Sequence, residues 1–137
     1  MNAPVKSPQE KTKDHLNYLA IGHYVLGGLT MLFSCMFLMH LGMGLMMLFN
    51  PNAFSHEADE AHMIGMLFTG IGATCIVLGW GLGIAMIYAG RCMAAQRKHL
   101  LCTIVAAVDC LLMPLGTILG ILALVVLLKD DTKAMFN

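Results

Sequence analysis

The chain has 137 residues, 58% of them hydrophobic and 12% charged, with a mean hydropathy of +0.76 and no formal net charge. A soluble globular domain carries about 45–50% apolar and about 25% charged residues, so this composition excludes an ordinary water-soluble domain and points to a membrane protein. The charge balance leaves no electrostatic footprint for nucleic acid.

Residues 1–15 form a polar leader with Lys6, Lys11 and Lys13; two prolines and few apolar residues predict that it is disordered in isolation. Residues 16–49 follow without a charge. An uncharged stretch of 34 residues exceeds the roughly 7–15 of a cleaved signal peptide and predicts a retained first span. As one helix it would be ~51 Å long, so it is expected to tilt, to bend at Gly42 or Gly44, or to begin at an interface near Asn17 and Tyr18.

Asn50-Pro51-Asn52 signals a turn. The connection over residues 50–62 holds three acids and no Lys or Arg, and a second span is predicted over 63–90. The next connection, Arg91 to His99, holds three basic residues and no acid. Lys and Arg gather on the cytoplasmic side of short loops, which puts this connection and the leader inside and the acidic one outside.

The third apolar segment, 100–128, contains Pro114. Proline donates no backbone N–H, so the Cys110 carbonyl loses its helical partner and the helix must kink or break. Two halves of 14 residues would each be ~21 Å long, too short to cross, and the expectation is a single kinked span. The alternative is a half-depth hairpin turning at 114–117, tolerable where its turn is buried by neighbouring helices; it gives four helices. With three spans, the tail over 129–137 emerges opposite the leader.

Asp109 is the one charge inside the three segments. On a span centred near Pro114 it lies ~7–8 Å inside the midplane, where an ionised carboxylate costs at least about 2.5–3.5 kcal/mol and needs a partner or a proton. His23, in the inner part of the first span, is the titratable base at matching depth. The competing expectation is a protonated Asp109 bonded to a backbone carbonyl or to the hydroxyl of Thr103 or Thr117. His40 shares the first span with His23; neither has an interior histidine on another span to complete a bis-histidine haem. A single imidazole can still hold a pigment or a partner's haem. His40 with Met36, Met39 and Met43, continued by Met46 and Met47, forms a soft-ligand stripe suited to Cu(I), although methionine is equally a filler for irregular apolar packing. The five cysteines show no close pair, and read as free thiols.

Gly79xxxGly83 and Gly116xxxGly120 place small residues one turn apart, as closely approaching helices require. Trp80, between Gly79 and Gly81, is expected to fill a groove against a neighbour. So many small faces suggest more contact surface than three helices use internally.

The histidine-tyrosine pair His23-Tyr24 in HLNYLAIGHYVLGGLTMLFSCMFLMHLGMG and the Pro-Leu-Gly-Thr-x-Leu-Gly element in CLLMPLGTILGILALVVLLKDDTKAMF resemble a group of small, uncharacterised bacterial multi-span membrane proteins. The resemblance covers most of the apolar segments but neither the leader nor the acidic connection. It implies a bacterial inner-membrane location and brings no activity.

The combined expectation is an all-α integral membrane protein of three spans with its N-terminus in the cytoplasm. It would be a non-catalytic accessory or assembly subunit of a larger respiratory or photosynthetic complex, or a homo-oligomer. Two alternatives stand beside it: a small oligomeric transporter or proton-coupled channel using Asp109 and His23, and a haem, pigment or copper binder using His23, His40 and the methionine stripe. No cofactor is required by any motif.

Overall fold

A computed structural model describes residues 7–54 and 58–136, and all regular structure among them is helical. Lys6 and Glu57, which contribute to the charge pattern of the leader and the acidic connection, lie outside the described residues. The helices are α1 (Pro8–Cys35), α2 (Phe37–Phe49), α3 (Ala58–Ala94), α4 (His99–Asp109), α5 (Leu115–Leu127) and the short α6 (Asp130–Lys133), with a 3-10 turn at Pro51–Ala53. Three of the four prolines mark helix starts or stops: Pro8 opens α1, Pro51 follows α2 and Pro114 precedes α5, as a residue without an N–H dictates.

The polar leader is already helical from Pro8. The Ser7 hydroxyl accepts from the Glu10 backbone N–H at 3.3 Å, and the Glu10 carboxylate accepts from the Ser7 N–H at 3.1 Å. This is a capping box with proline at the first helical position, and it overrides the disorder expected of residues 7–15. α1 and α2 run on as one helical stretch of 42 residues, Pro8–Phe49, apolar from Leu16 onward and interrupted by a single turn at Met36. The irregularity therefore falls at Met36 and not at Gly42 or Gly44. α3 extends beyond the expected 63–90 at both ends, with Asp59 and Glu60 in its first turn and Arg91 in its last, the arrangement the helix dipole favours. By length and composition, Pro8–Phe49 and Asp59–Ala94 are two helices able to cross a membrane.

The third segment does not form the single kinked span. α4 and α5 are separate helices of 11 and 13 residues that fold back on each other. His99 meets the Leu127 carbonyl at 2.7 Å, while a Cβ built at Gly120 would lie 2.5 Å from the Ala106 oxygen and one at Gly116 would lie 2.5 Å from the Asp109 oxygen. These pairs converge on the turn at 110–114, so the segment is an antiparallel hairpin. The cause is local. The Cys110 carbonyl, deprived of a proline N–H, accepts the Thr117 hydroxyl at 2.9 Å instead, and Gly116 and Gly120 let the two backbones touch.

The chain divides into two compact units. One comprises residues up to Gly28 and from Ile84 onward. Its core gathers Leu16, Leu19 and Ala20 of α1, Cys92 and Met93 of α3, Cys102 and Ala106 of α4, and Ala123 and Leu127 of α5. Phe136 packs on that cluster, and Ser7, Pro8, Gln9 and Thr12 share a surface pocket with Asp131, Ala134 and Met135. The tail thus lies beside the start of α1, at the end of this unit where α3 finishes and α4 begins. That corrects the expectation that the tail emerges opposite the leader, and the hairpin is the reason.

The other unit, Leu29–Gly83, is an antiparallel helix pair zipped through small residues. The Ser34 hydroxyl donates to the Cys75 carbonyl at 3.1 Å and sits against Gly79, Leu41 against Gly72, and Gly44 against Thr69 and Gly65.

Candidate functional site

Asp109 closes α4 at the turn of the hairpin, and His23 lies two turns into the apolar part of α1; both side chains are 0% exposed. The Nδ1 of His23 is 2.8 Å from the Leu19 carbonyl oxygen one turn earlier. A carbonyl only accepts, so Nδ1 carries a proton and Nε2 is the nitrogen left to face the aspartate. Nε2 lies 3.0 Å from Oδ2 of Asp109. The contact is of ion-pair length, but its direction is too oblique for a hydrogen bond, and Nε2, Oδ1 and Oδ2 have no hydrogen-bond partner among the described residues.

Helix positions explain the encounter. Gly90 on α3 admits the α1 backbone, a Cβ there falling 3.4 Å from that of His23, and Gly22 receives the side chain of Leu119 from α5. Gly116 presses on the Asp109 carbonyl from the far arm of the hairpin. The two hydroxyls weighed as alternative partners for Asp109 are engaged elsewhere, Thr103 with the His99 carbonyl at 3.0 Å and Thr117 with Cys110.

An unprotonated Nε2 facing a carboxylate at 3.0 Å would set a lone pair against an anion in a medium without water. One proton on either group removes the conflict. It gives either imidazolium with carboxylate or neutral imidazole with carboxylic acid, and both combinations have no net charge. The site can therefore hold or release a proton.

Among the described residues no three His, Cys, Asp or Glu side chains gather as a metal site. His40 is exposed and lies between Phe37 and Phe68, with ring centres 5.5 and 5.8 Å away. Met36, Met39 and Met43 are exposed on the outer face, as is Met46. His40 and His23 belong to different compact units, and the five cysteines are free thiols.

The expected contact glycines divide into two groups. Gly79, Gly116 and Gly120 meet neighbours of their own chain, and Gly83 is buried. Their close approach is spent internally and is not a spare surface. Around Gly28, Gly42, Gly70 and Gly81 a Cβ would meet nothing beyond its own helix within 4 Å among the described residues, and Trp80, beside Gly81, is 45% exposed. Sequence reasoning missed this division because a glycine's neighbours cannot be read from its spacing. It also missed the Ser7-Glu10 capping box, although the S-P-Q-E pattern was there to find.

At the end of α3 the Lys98 ammonium donates to the Tyr88 hydroxyl at 2.9 Å and lies 5.4 Å from the ring centre. That hydrogen bond holds the amine's pKa above its ordinary 10.5. Lys98 also takes a left-handed φ of 52° where it starts α4, as does Gln96 at 54°, two turns of backbone that let α4 reverse onto α3.

No family model matches the sequence, and no curated protein or solved structure matches it either.

Proposed function

We propose that the chain is a small integral protein of the bacterial inner membrane that works as a non-catalytic accessory or assembly subunit of a larger membrane complex. Two long helices cross the bilayer, and the α4–α5 hairpin dips in from the cytoplasmic face. The observation that carries the subunit role is the set of open glycines. Each helix-interior glycine costs roughly 0.8–1 kcal/mol relative to alanine, yet a Cβ at Gly28, Gly42, Gly70 or Gly81 would meet nothing beyond its own helix within 4 Å among the described residues. Bare backbone on an outward helix face is what a neighbouring membrane helix requires.

The hairpin suits this placement. Its arms, at ~17 and ~20 Å, stop short of the opposite face of a bilayer core about 30 Å thick. The turn satisfies much of its own backbone, with Leu111, Leu112 and Gly116 donating to Val108, Asp109 and Leu112 and Thr117 capping Cys110. The residues it presents outward are apolar, Leu111 at 80% and Met113 at 83% exposure. Both properties are needed where no water is available.

Native mass spectrometry from the source membrane tests the subunit role. Other chains bound to this 14.8 kDa protein support it, and a monomer or pure homo-oligomer refutes it. A second reading, a small proton-coupled channel or transporter, draws on one observation, the His23–Asp109 contact. Proton flux into vesicles that disappears with Asp109→Asn would favour it over the first.

A further inference from the structure

We infer that His23 and Asp109 form a buried proton-binding site of fixed stoichiometry, and that docking of the α4–α5 hairpin on α1 requires one proton there. This goes beyond both functional readings and depends on neither, because it rests on geometry within one compact unit of the chain. Three observations carry it. The Leu19 carbonyl fixes a proton on Nδ1 and leaves Nε2 facing the carboxylate. Nε2 and Oδ2 meet at 3.0 Å with no exposure on either side chain. Both carboxylate oxygens and Nε2 lack hydrogen-bond partners among the described residues, so nothing else there neutralises a charge.

The states differ by whole protons. With one proton on the pair, either Nε2 or a carboxylate oxygen carries it, and the pair stays neutral. If that proton leaves to bulk water, neutral imidazole and carboxylate remain, with a net charge of −1. If a second arrives, imidazolium and carboxylic acid give +1. Both charged states are costly at a site that excludes water. Since α1 supplies the histidine and the hairpin supplies the aspartate, separating the two lets water reach whichever charge is left. Loss or gain of a proton therefore favours undocking.

Other groups on the elements packed here do not supply the missing charge. α1 contributes the Tyr24 phenol beside Gly90. α3 contributes Met86, Ala89, Gly90 and Met93, with the Cys92 thiol and the exposed Tyr88. α4 contributes Cys102, whose thiol points to the Ala89 carbonyl, and Cys110, which follows it in the turn, has its thiol on the Ala106 carbonyl. α5 brings only apolar residues and Thr117, already bonded to Cys110.

Cys102, on α4 itself and fully buried in the cluster it forms with Leu16, Leu19 and Ala20 of α1, serves as the reporter. The full-length protein in lipid nanodiscs is exposed to N-ethylmaleimide across pH. Labelling of the Cys102 peptide is read by mass spectrometry and divided at each pH by labelling of the denatured protein, which removes the thiol's intrinsic pH dependence. The expected profile has a minimum, with labelling rising on each side by up to about tenfold per pH unit, the slope that a difference of one bound proton produces. Asp109→Asn cannot reach the −1 state and loses the alkaline arm. His23→Gln cannot reach the +1 state and loses the acid arm. A flat wild-type profile, or both arms surviving both substitutions, overturns the inference. Should either variant fail to fold, nitrogen-15 NMR of the wild-type histidine decides: protonated Nδ1 at every pH is expected, and a state with Nδ1 bare and Nε2 protonated is incompatible with it.

Discussion

The value of a shared proton at residue scale depends on burial, and this chain offers both extremes. Lys98 and Tyr88 meet in water, where the hydrogen bond raises the amine's pKa without protection from solvent. Because that folded-state value is raised, any stabilisation is complete below 10.5 and is lost as pH climbs through the folded value. Tyr88→Phe should return the amine toward its ordinary titration, observed by NMR of Lys98, with no detectable loss of fold. His23 and Asp109 are coupled where water does not reach, so their substitutions should not add. His23→Leu and Asp109→Leu are each expected to destabilise, and the double variant to recover part of the loss, with a coupling of about 0.5–3 kcal/mol measured by denaturant unfolding in micelles. Strict additivity would mean that the two side chains act independently. Much of this pair was legible in the sequence: one acid stands alone in an apolar segment, and one histidine matches its depth. The oblique approach and the unpartnered carboxylate oxygens were not legible, because they depend on how the hairpin seats Asp109 against α1.

At the scale of the element, Pro114 could be read as a break, but the direction of the chain after it could not. Halves too short to cross argued for a kinked span, and that arithmetic assumed the segment had to cross. What turns it back is a set of contacts between residues four to fourteen positions apart, Thr117 with Cys110 and Gly120 with Ala106 among them, which periodicity does not register. The glycines give the sharpest test. A Cβ at Gly116 would come 2.5 Å from both the Asp109 oxygen and the Leu112 Cβ, and one at Gly120 would come 2.5 Å from the Ala106 oxygen. Gly116→Ala and Gly120→Ala should therefore each cost about 1–3 kcal/mol, the usual penalty of overpacking. Gly81→Ala, in open space within α3, should stabilise the isolated protein by up to about 1 kcal/mol. Thermal unfolding of the three variants separates the groups, and equal losses at all three would contradict the hairpin contacts. If Gly81 meets a partner helix, the same alanine should weaken co-purification while it stabilises the isolated chain.

At the largest scale, the hairpin brings the residues after α5, and their charges, beside the start of α1. Lys11 and Lys13 stand at the start of α1, and Arg91, Arg97 and Lys98 where α3 gives way to α4. Lys129 and Lys133 follow α5. In a three-span chain the last two would stand apart from the others. Here all seven belong to one end of one compact unit, and the same unit brings Asp131 and Met135 beside Ser7 and Pro8. Asp59 and Glu60 stand in the first turn of α3 and Arg91 in its last. Lys and Arg mark the cytoplasmic side, so the leader, the basic connection and the tail should all be cytoplasmic, and the acidic start of α3 external. A membrane-impermeant amine reagent, applied to intact cells and to inverted vesicles, reads this directly. Lys129 and Lys133 should react in inverted vesicles together with Lys98 and stay silent in intact cells. If the tail lysines react from outside while Lys98 does not, the third segment crosses the bilayer, and the hairpin placement is wrong.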